Sequence, residues 1–288
     1  MLSGPVAAAK LLQNYIKLEA KPRKLFEVLQ DMIEVDNELD KLAAADLAEK
    51  WMNRFETRVG HMLRIAEDEG SFLPFAFNSA SKEFIQGACF VEGTDTAKIT
   101  AEKQARAQQE SYLQFYQELC PNDFEKLCGK VIGLLKVDEP KVTRSSADQG
   151  VDFFGQLPFG TLLNPKEVQA GAEKQLTVWI VGQAKHYLKT TVSTKDIREL
   201  VGSVVLARSK TFAGAVDPLE GLDLRVCDPV VFFFITTGRF TRDSRELLKR
   251  SGVVAMDGLQ LSVFLADNLV AQEADELTVD AIADWLKT

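Results

Sequence analysis

Apolar side chains recur at intervals of three and four through much of the first seventy residues. Phe26, Leu29, Met32 and Ile33 share one face of a helical wheel, and Leu47, Trp51, Phe55, Val59, Met62 and Leu63 share another. With Asp46 as N-cap and Gly70 as stop, residues 1–70 read as helix. Residues 71–98 are aromatic and turn-rich without a period, and a further helix is predicted from Ile99 to Cys120. After Pro121 the pattern changes. Phe124, Leu127, Cys128, Val131 and Leu135 mark an amphipathic helix capped by Asn122 or Asp123. Two strands follow, about 140–145 and 151–157, joined by the turn "SADQG". A loop then leads to the strand "LTVWIVGQAK". Ser193 and Asp196 form an S-x-x-D cap before a helix that turns Ile197, Leu200, Val201, Val204 and Val205 inward. "PVVFFFIT", 229–236, is a continuous apolar run, as expected of a strand covered on both faces. "RDSRELLKRSG" is a helix stopped by Gly252, "VVAM" a short strand and "DGLQLSVFLAD" a closing helix.

That order predicts an α/β core with a mixed central sheet flanked by helices, preceded by a mainly helical N-terminal region. The division is drawn at residues 1–119 and 120–288. A content of 46% hydrophobic and 26% charged residues is ordinary for a soluble globular chain. No stretch approaches the roughly 20 apolar residues that cross a bilayer, so no membrane partner is expected. Lys10 and Lys17 break the apolar start of the chain, and no basic residue precedes it, so it does not read as a signal peptide. Cys89, Cys120, Cys128 and Cys227 contain no C-x-x-C pair and are expected to be reduced, buried thiols of a cytoplasmic protein, with Cys128 and Cys227 in the core.

Charge changes the picture further. The net charge is −8, which looks wrong for a nucleic-acid binder. Residues 1–119 carry 14 basic and 19 acidic side chains, residues 120–264 carry 19 and 17, and residues 265–288 carry one and six. Only the middle block is net basic, and local charge governs contact with phosphates. Arg239, Arg242, Arg245, Lys249 and Arg250 gather in one helical stretch, either as a solvated face or as a contact to a DNA backbone with Thr237 and Arg239 foremost. The acidic tail, with Glu273, Asp275, Glu276, Asp280 and Asp284, is expected to be solvated or to cover that basic surface. The acidity of residues 1–119 argues against reading DNA and favours a module that pairs protomers or binds a partner protein.

Gln183 and Lys185 lie two apart at the polar end of an otherwise apolar strand, so they point to one side. Asp152 opens the preceding strand, and adjacency in a sheet would bring the three together. A carboxylate and an amide oxygen are hard ligands of the kind Mg²⁺ accepts. A lysine beside them can orient a water and stabilise charge developing on phosphorus. The plain alternatives are turn chemistry at Asp152 and Gly150, and a solvated strand edge at Gln183 and Lys185.

The succession "FEKL", "DQGVDF", "VGQAKHY", "IRELVGSV" and "FFFITTGRFTRDSRELLKRSGVVAMDGLQL" resembles the Mrr-like branch of the PD-(D/E)xK restriction endonucleases. The resemblance runs from about Pro121 to Asp267, in family order, with a longer loop between Leu157 and Leu176. It implies a restriction-endonuclease-like core in which Asp152 binds the metal and Gln183 occupies the usual glutamate position. Lys185 is then the catalytic lysine, Glu125 an acidic helper on the first core helix, and Asp148 the first, less critical aspartate. His186 becomes a neighbour of the site, and Thr237, Arg239 and Arg242 DNA contacts. The implied cofactor is Mg²⁺, with Mn²⁺ as substitute, and the implied activity is metal-dependent DNA cleavage in restriction-type defence. Family members commonly carry an extra domain for target choice, and two active sites are needed to cut both strands, which points to a homodimer. Two other functions stay open: a non-catalytic interaction protein on a nuclease scaffold, and a nuclease effector switched on by a partner through residues 1–119. Gln183 and the net acidity favour the scaffold, while Asp152 with Lys185 favours the enzyme.

Overall fold

The computed structural model describes residues 1–143, 150–158, 176–211, 219–272 and 277–288. They form two compact units, Met1–Gln108 and Gln109–Thr288.

The first unit holds α1 (Pro5–Leu11), a 3₁₀ turn (Leu12–Asn14), β1 (Arg23–Lys24), α2 (Leu25–Asn37), α3 (Lys41–Asp68), β2 (Phe75–Phe77), β3 (Phe84–Gly87) and α4 (Ala97–Ala107). Leu25, Leu29, Met32 and Ile33 of α2 and Phe55 and Val59 of α3 are fully buried, as their period requires. The cap of α3 is Asp40, whose carboxylate accepts from Leu42 N and Ala43 N at 2.9 Å, and not Asp46. The helix therefore starts at Lys41, one and a half turns earlier than its apolar stripe shows. A small antiparallel sheet, ordered β1-β3-β2, takes β2 and β3 from the stretch that reads as turns and β1 from the stretch that reads as helix. Strands of two to four residues are too short for alternation to register.

The second unit begins with α5 (Gln109–Glu118) and α6 (Pro121–Leu134). The helix expected over 99–120 is thus two helices broken at Gln108, and the boundary between units falls there, not at 119. Next come β4 (Asp138–Val142), β5 (Phe153–Pro158), β6 (Thr177–Lys185), β7 (Thr191–Val192), α7 (Thr194–Arg208), β8 (Val230–Thr236), β9 (Arg239–Phe240), α8 (Arg242–Ser251), β10 (Val254–Met256), α9 (Gly258–Asp267) and α10 (Val279–Lys287). The central sheet is five-stranded and mixed, in the order β10-β8-β6-β5-β4. β10, β8 and β6 run parallel, and β5 and β4 are antiparallel additions. Ile197, Leu200 and Val204 of α7 and Leu248 of α8 cover one face together with Trp179, Val181 and Phe234. α6 packs against β4, β5 and β6, and α9 against β8. Since β6 and β8 each return through a helix to a parallel neighbour, α7, α8 and α9 all start at the edge where the parallel strands end.

Three expectations need correction. α6 is capped at Cys120 with Pro121 in its first turn, so Asn122 and Asp123 lie inside the helix. Cys120 and Cys227 are exposed, the first as that cap and the second in a turn before β8, while Cys89 and Cys128 are buried. The chain does not close with α9: α10 buries Ile282, and Lys130 places its ammonium 4.8 Å over the Trp285 ring. Only the outer face of α10, with Asp280 and Asp284, is solvated. Glu273, Asp275 and Glu276 lie outside the described residues.

Candidate active site

β6 is buried almost throughout. Its alternation sends Trp179 and Val181 into the core, and carries Gln183 and Lys185 to the same side at the carboxyl end. Gln183 is fully buried and Lys185 half-buried. A buried amide must be satisfied internally, and this one is. In the orientation that serves both of its polar atoms, Gln183 Oε1 accepts from Lys185 Nζ at 3.1 Å and Nε2 donates to the main-chain carbonyl of Asp196 at 3.2 Å.

β5 supplies the carboxylate. Phe153 pairs with Gly182, so one step outward Asp152 stands level with Gln183. Asp152 N donates to Gly182 O at 2.9 Å, and Asp152 Oδ2 accepts from Ala184 N at 2.7 Å. The side chain thereby continues the ladder past the strand end, and it is 3% exposed. Gly150 just before it has φ of +83°, and a Cβ there would meet Ser203 Oγ at 2.7 Å. The D-x-G-x-D turn needs its glycine for that reason. Asp148 lies outside the described residues.

Glu125 reaches the same region from α6. It is half-buried, one turn before the fully buried Cys128. The Cys128 thiol is pushed well above its ordinary range, by burial first and then by the negative charges of Asp152 and Glu125. Two carboxylates, one from a strand and one from a helix, thus both act electrostatically on that buried thiol. With its pKa raised, the Cys128 thiol is held protonated.

Asp196 is a member of this constellation that sequence reading took only for a cap. It does form the capping box, accepting from Ser193 N at 2.8 Å and Ser193 Oγ at 2.7 Å. Burial opposes its ionisation, yet the Ser193 hydrogen bonds and the charge of Lys185 hold its carboxyl below the usual range. The Tyr187 hydroxyl donates to it at 3.4 Å. Burial, then the Asp196 charge, raises the Tyr187 phenol. The available signal was position: an acid in the first turn of the helix that follows the Q-x-K strand.

The remaining predicted residues divide. His186 turns to the other side, its Nε2 lying 2.8 Å from Tyr116 O and its ring against Phe124 at 5.6 Å, so it ties β6 to α5 and α6. Thr237 sits beside Lys185, donating its N–H to Lys185 O at 3.3 Å. Arg239 is exposed and level with Thr191 across the β7–β9 pair, and Arg242 opens α8 on the same edge. Arg245 is taken by Asp257 at 3.0 Å and Arg250 by Glu246 at 2.7 Å, so the basic cluster is partly internal pairing.

The T-x-G stretch is built for close packing. A Cβ on Gly238 would lie 2.6 Å from Tyr187 O and 2.9 Å from Thr190 O. Gly238→Ala is expected to destabilise the chain by about 1–3 kcal/mol, since neither carbonyl can withdraw. Gly202→Ala, in an exposed turn of α7 with nothing within 4 Å, should stabilise it by about 0.5–1 kcal/mol. Denaturant melts of the two variants should move in opposite directions, and a common direction would refute the packing account.

As a donor set, Asp152, Glu125 and the Gln183 amide are oxygen ligands suited to a hard divalent ion. Among the described residues no group of three or more His, Cys, Asp and Glu is gathered closely enough to hold a metal. An ion here would depend on the amide oxygen, water and a substrate phosphate to complete its shell.

Residues 116–213 match the family model described as "Restriction endonuclease", Mrr_cat, about a third of the chain. That stretch contains Glu125, Asp152, Gln183, Lys185 and Asp196 and ends before Thr237. No curated protein matches. Two solved structures are similar. "MspJI Restriction Endonuclease in Complex with 27-mer Oligonucleotide" is 19% identical over 69% of this chain and 40% of its own, with a TM-score of 0.41. "DNA modification-dependent restriction endonuclease AspBHI" is 17% identical over 73% of this chain and 46% of its own, with a TM-score of 0.38. The chain spans less than half the length of either.

Proposed function

We propose, from the match of residues 116–213 to the restriction endonuclease family model, a divalent-metal-dependent endonuclease that hydrolyses DNA phosphodiester bonds in restriction-type defence. The observation that carries this reading is the convergence of Asp152, Gln183 and Lys185 at the carboxyl end of β6, where α/β sheets place their ligands. Asp152, Gln183 and Glu125 would hold Mg²⁺ or Mn²⁺, which when bound polarises the phosphodiester and lowers the pKa of a water. Lys185 does the remaining work: its ammonium orients the attacking water and faces the charge that grows on the phosphoryl oxygens. Gln183 fixes that ammonium at 3.1 Å, and the first turn of α7 fixes Gln183. Thr237, Arg239 and Arg242, on the same edge, contact the backbone of the bound duplex. The first unit pairs protomers or receives a partner, so that two sites meet two strands.

Supercoiled plasmid is expected to be nicked and linearised with Mg²⁺ or Mn²⁺ and to stay intact with EDTA. Intact plasmid under every metal condition, with DNA of several modification states, would overturn the reading. One observation favours the scaffold alternative: Gln183 is fully buried with both polar atoms satisfied inside the protein, which suits a structural lock as well as a ligand. In that case plasmid would be bound and never cut.

A further inference from the structure

Between Lys50 and Arg64, α3 sorts its charges by sign, and the exposed Asp46 and Asp68 lie on the basic flank only one turn beyond either end of that span. Lys50, Arg54, Arg58, His61 and Arg64 follow at steps of four, four, three and three, which keeps them on one flank of the helix. Glu49, Glu56 and Glu67 fall on the other flank, and Ala48, Phe55, Val59 and Ala66 are buried between the two. Lys50, Arg54, His61 and Arg64 are exposed and Arg58 is half-buried. Among the described residues none of the four cationic side chains has a carboxylate partner. Arg58 instead sets Nη1 3.2 Å from His61 Nδ1, and its buried Nε has no partner among the described residues. A face evolved only for solubility intersperses the two signs, because like charges at these spacings repel. This flank concentrates one sign within a unit that carries 14 basic and 17 acidic residues over 1–108.

We propose that this flank of α3 is a second nucleic-acid contact, binding the phosphate backbone of duplex DNA outside the candidate active site. The inference rests on the nuclease reading above. The fourteen steps from Lys50 to Arg64, at about 1.5 Å each, give a rail of about 21 Å, the axial length of about six phosphates of one DNA strand. Regular charge along a straight helix suits a polyanion of regular spacing. Protein partners are held instead by buried aromatic or aliphatic anchors, and among the described residues of α3 the large exposed apolar side chain that borders the stripe is Ile65, 39% exposed. Phosphate contacts position a protein without reading sequence, so the net acidity of the unit and its grip on DNA are compatible.

The test is fluorescence anisotropy of the full chain on a labelled duplex, without divalent metal, across a salt series. Lys50→Gln/Arg54→Gln/Arg64→Gln changes three exposed side chains, so its far-UV circular dichroism and Tm should match wild type. Three lost phosphate contacts should flatten the plot of log K against log salt by about 2.7, at about 0.9 per contact. Arg54→Gln alone should flatten it by about 0.9, which keeps the test valid if the triple variant folds poorly. Nicking at saturating DNA should be unchanged. Coincident slopes for wild type and both variants, with wild type still nicking plasmid, would overturn the stripe alone. A wild-type chain that neither binds nor nicks DNA would sink the nuclease reading and this one with it. Polyglutamate bound as tightly as duplex at equal charge concentration would also overturn the DNA assignment, in favour of an acidic protein partner.

Discussion

Lys185→Ala is expected to reduce plasmid nicking by about 10²–10³-fold or more and to leave the fold and the DNA affinity close to wild type. The size follows from losing a preorganised cation aimed at developing negative charge in a partly buried site. The fold survives because the structural duties of Lys185 lie in its backbone, whose carbonyl accepts from Thr236 Oγ1 at 2.7 Å and from Thr237 N at 3.3 Å. Alanine keeps that carbonyl. The side chain donates to Gln183 Oε1 and lends its charge to Asp196, and water can enter beside a half-buried position to replace it. The loss should appear in the single-turnover rate constant with bound DNA, and hardly in Kd. Nicking at the wild-type rate would remove Lys185 from the mechanism and leave the scaffold alternative standing.

Asp152→Asn is expected to weaken Mg²⁺ and Mn²⁺ binding by at least about tenfold, and nicking in step with it. An asparagine Oδ1 can still accept from Ala184 N, where the carboxylate now accepts at 2.7 Å, so the strand end keeps its hydrogen bond. What disappears is the formal negative charge, the feature a hard divalent cation seeks. Isothermal titration with either ion reads the affinity, and unchanged far-UV circular dichroism and Tm exclude unfolding as the cause. Equal affinities would reduce Asp152 to a residue that extends a β-ladder. Glu125 offers a graded comparison. It approaches from a helix and is half-buried, so Glu125→Gln should weaken the ion less than Asp152→Asn does.

Much of this architecture was legible because its elements are long or strongly patterned. The period of Phe124, Leu127, Cys128 and Val131 located α6, and each of the four is fully buried. The apolar run 229–236 announced a strand covered on both faces, and β8 lies second from an edge of the sheet between two parallel neighbours. Ser193 and Asp196 marked the start of α7 because a capping box is local chemistry, complete within four residues. The helix ends were read less well. Asp40 and Cys120 displaced Asp46 and Asn122 as caps because N-cap preference is weak beside the tertiary contacts that set where a helix begins. The break at Gln108 escaped notice for a similar reason: the sequences of α4 and α5 both favour helix, and only their separate packing parts them.

The sequence by itself determined the order of elements, the two-residue offset of Gln183 and Lys185, and the glycine that Asp152 needs two residues before it. These rest on local rules, namely side-chain period, turn chemistry and capping, which act over a few residues. Tertiary structure alone decided that Asp152 stands level with Gln183, because a strand register joins positions thirty residues apart. It decided that the charge of Lys185 reaches Asp196, which is more than a cap, and that His186 faces the helices instead of the site. It also decided that Asp152 and Glu125 both act on the buried Cys128 thiol and that Arg245 belongs to Asp257. In each case the deciding quantity is the distance between side chains remote in the chain. That distance is set by how sheet and helices pack, which no short window of sequence contains.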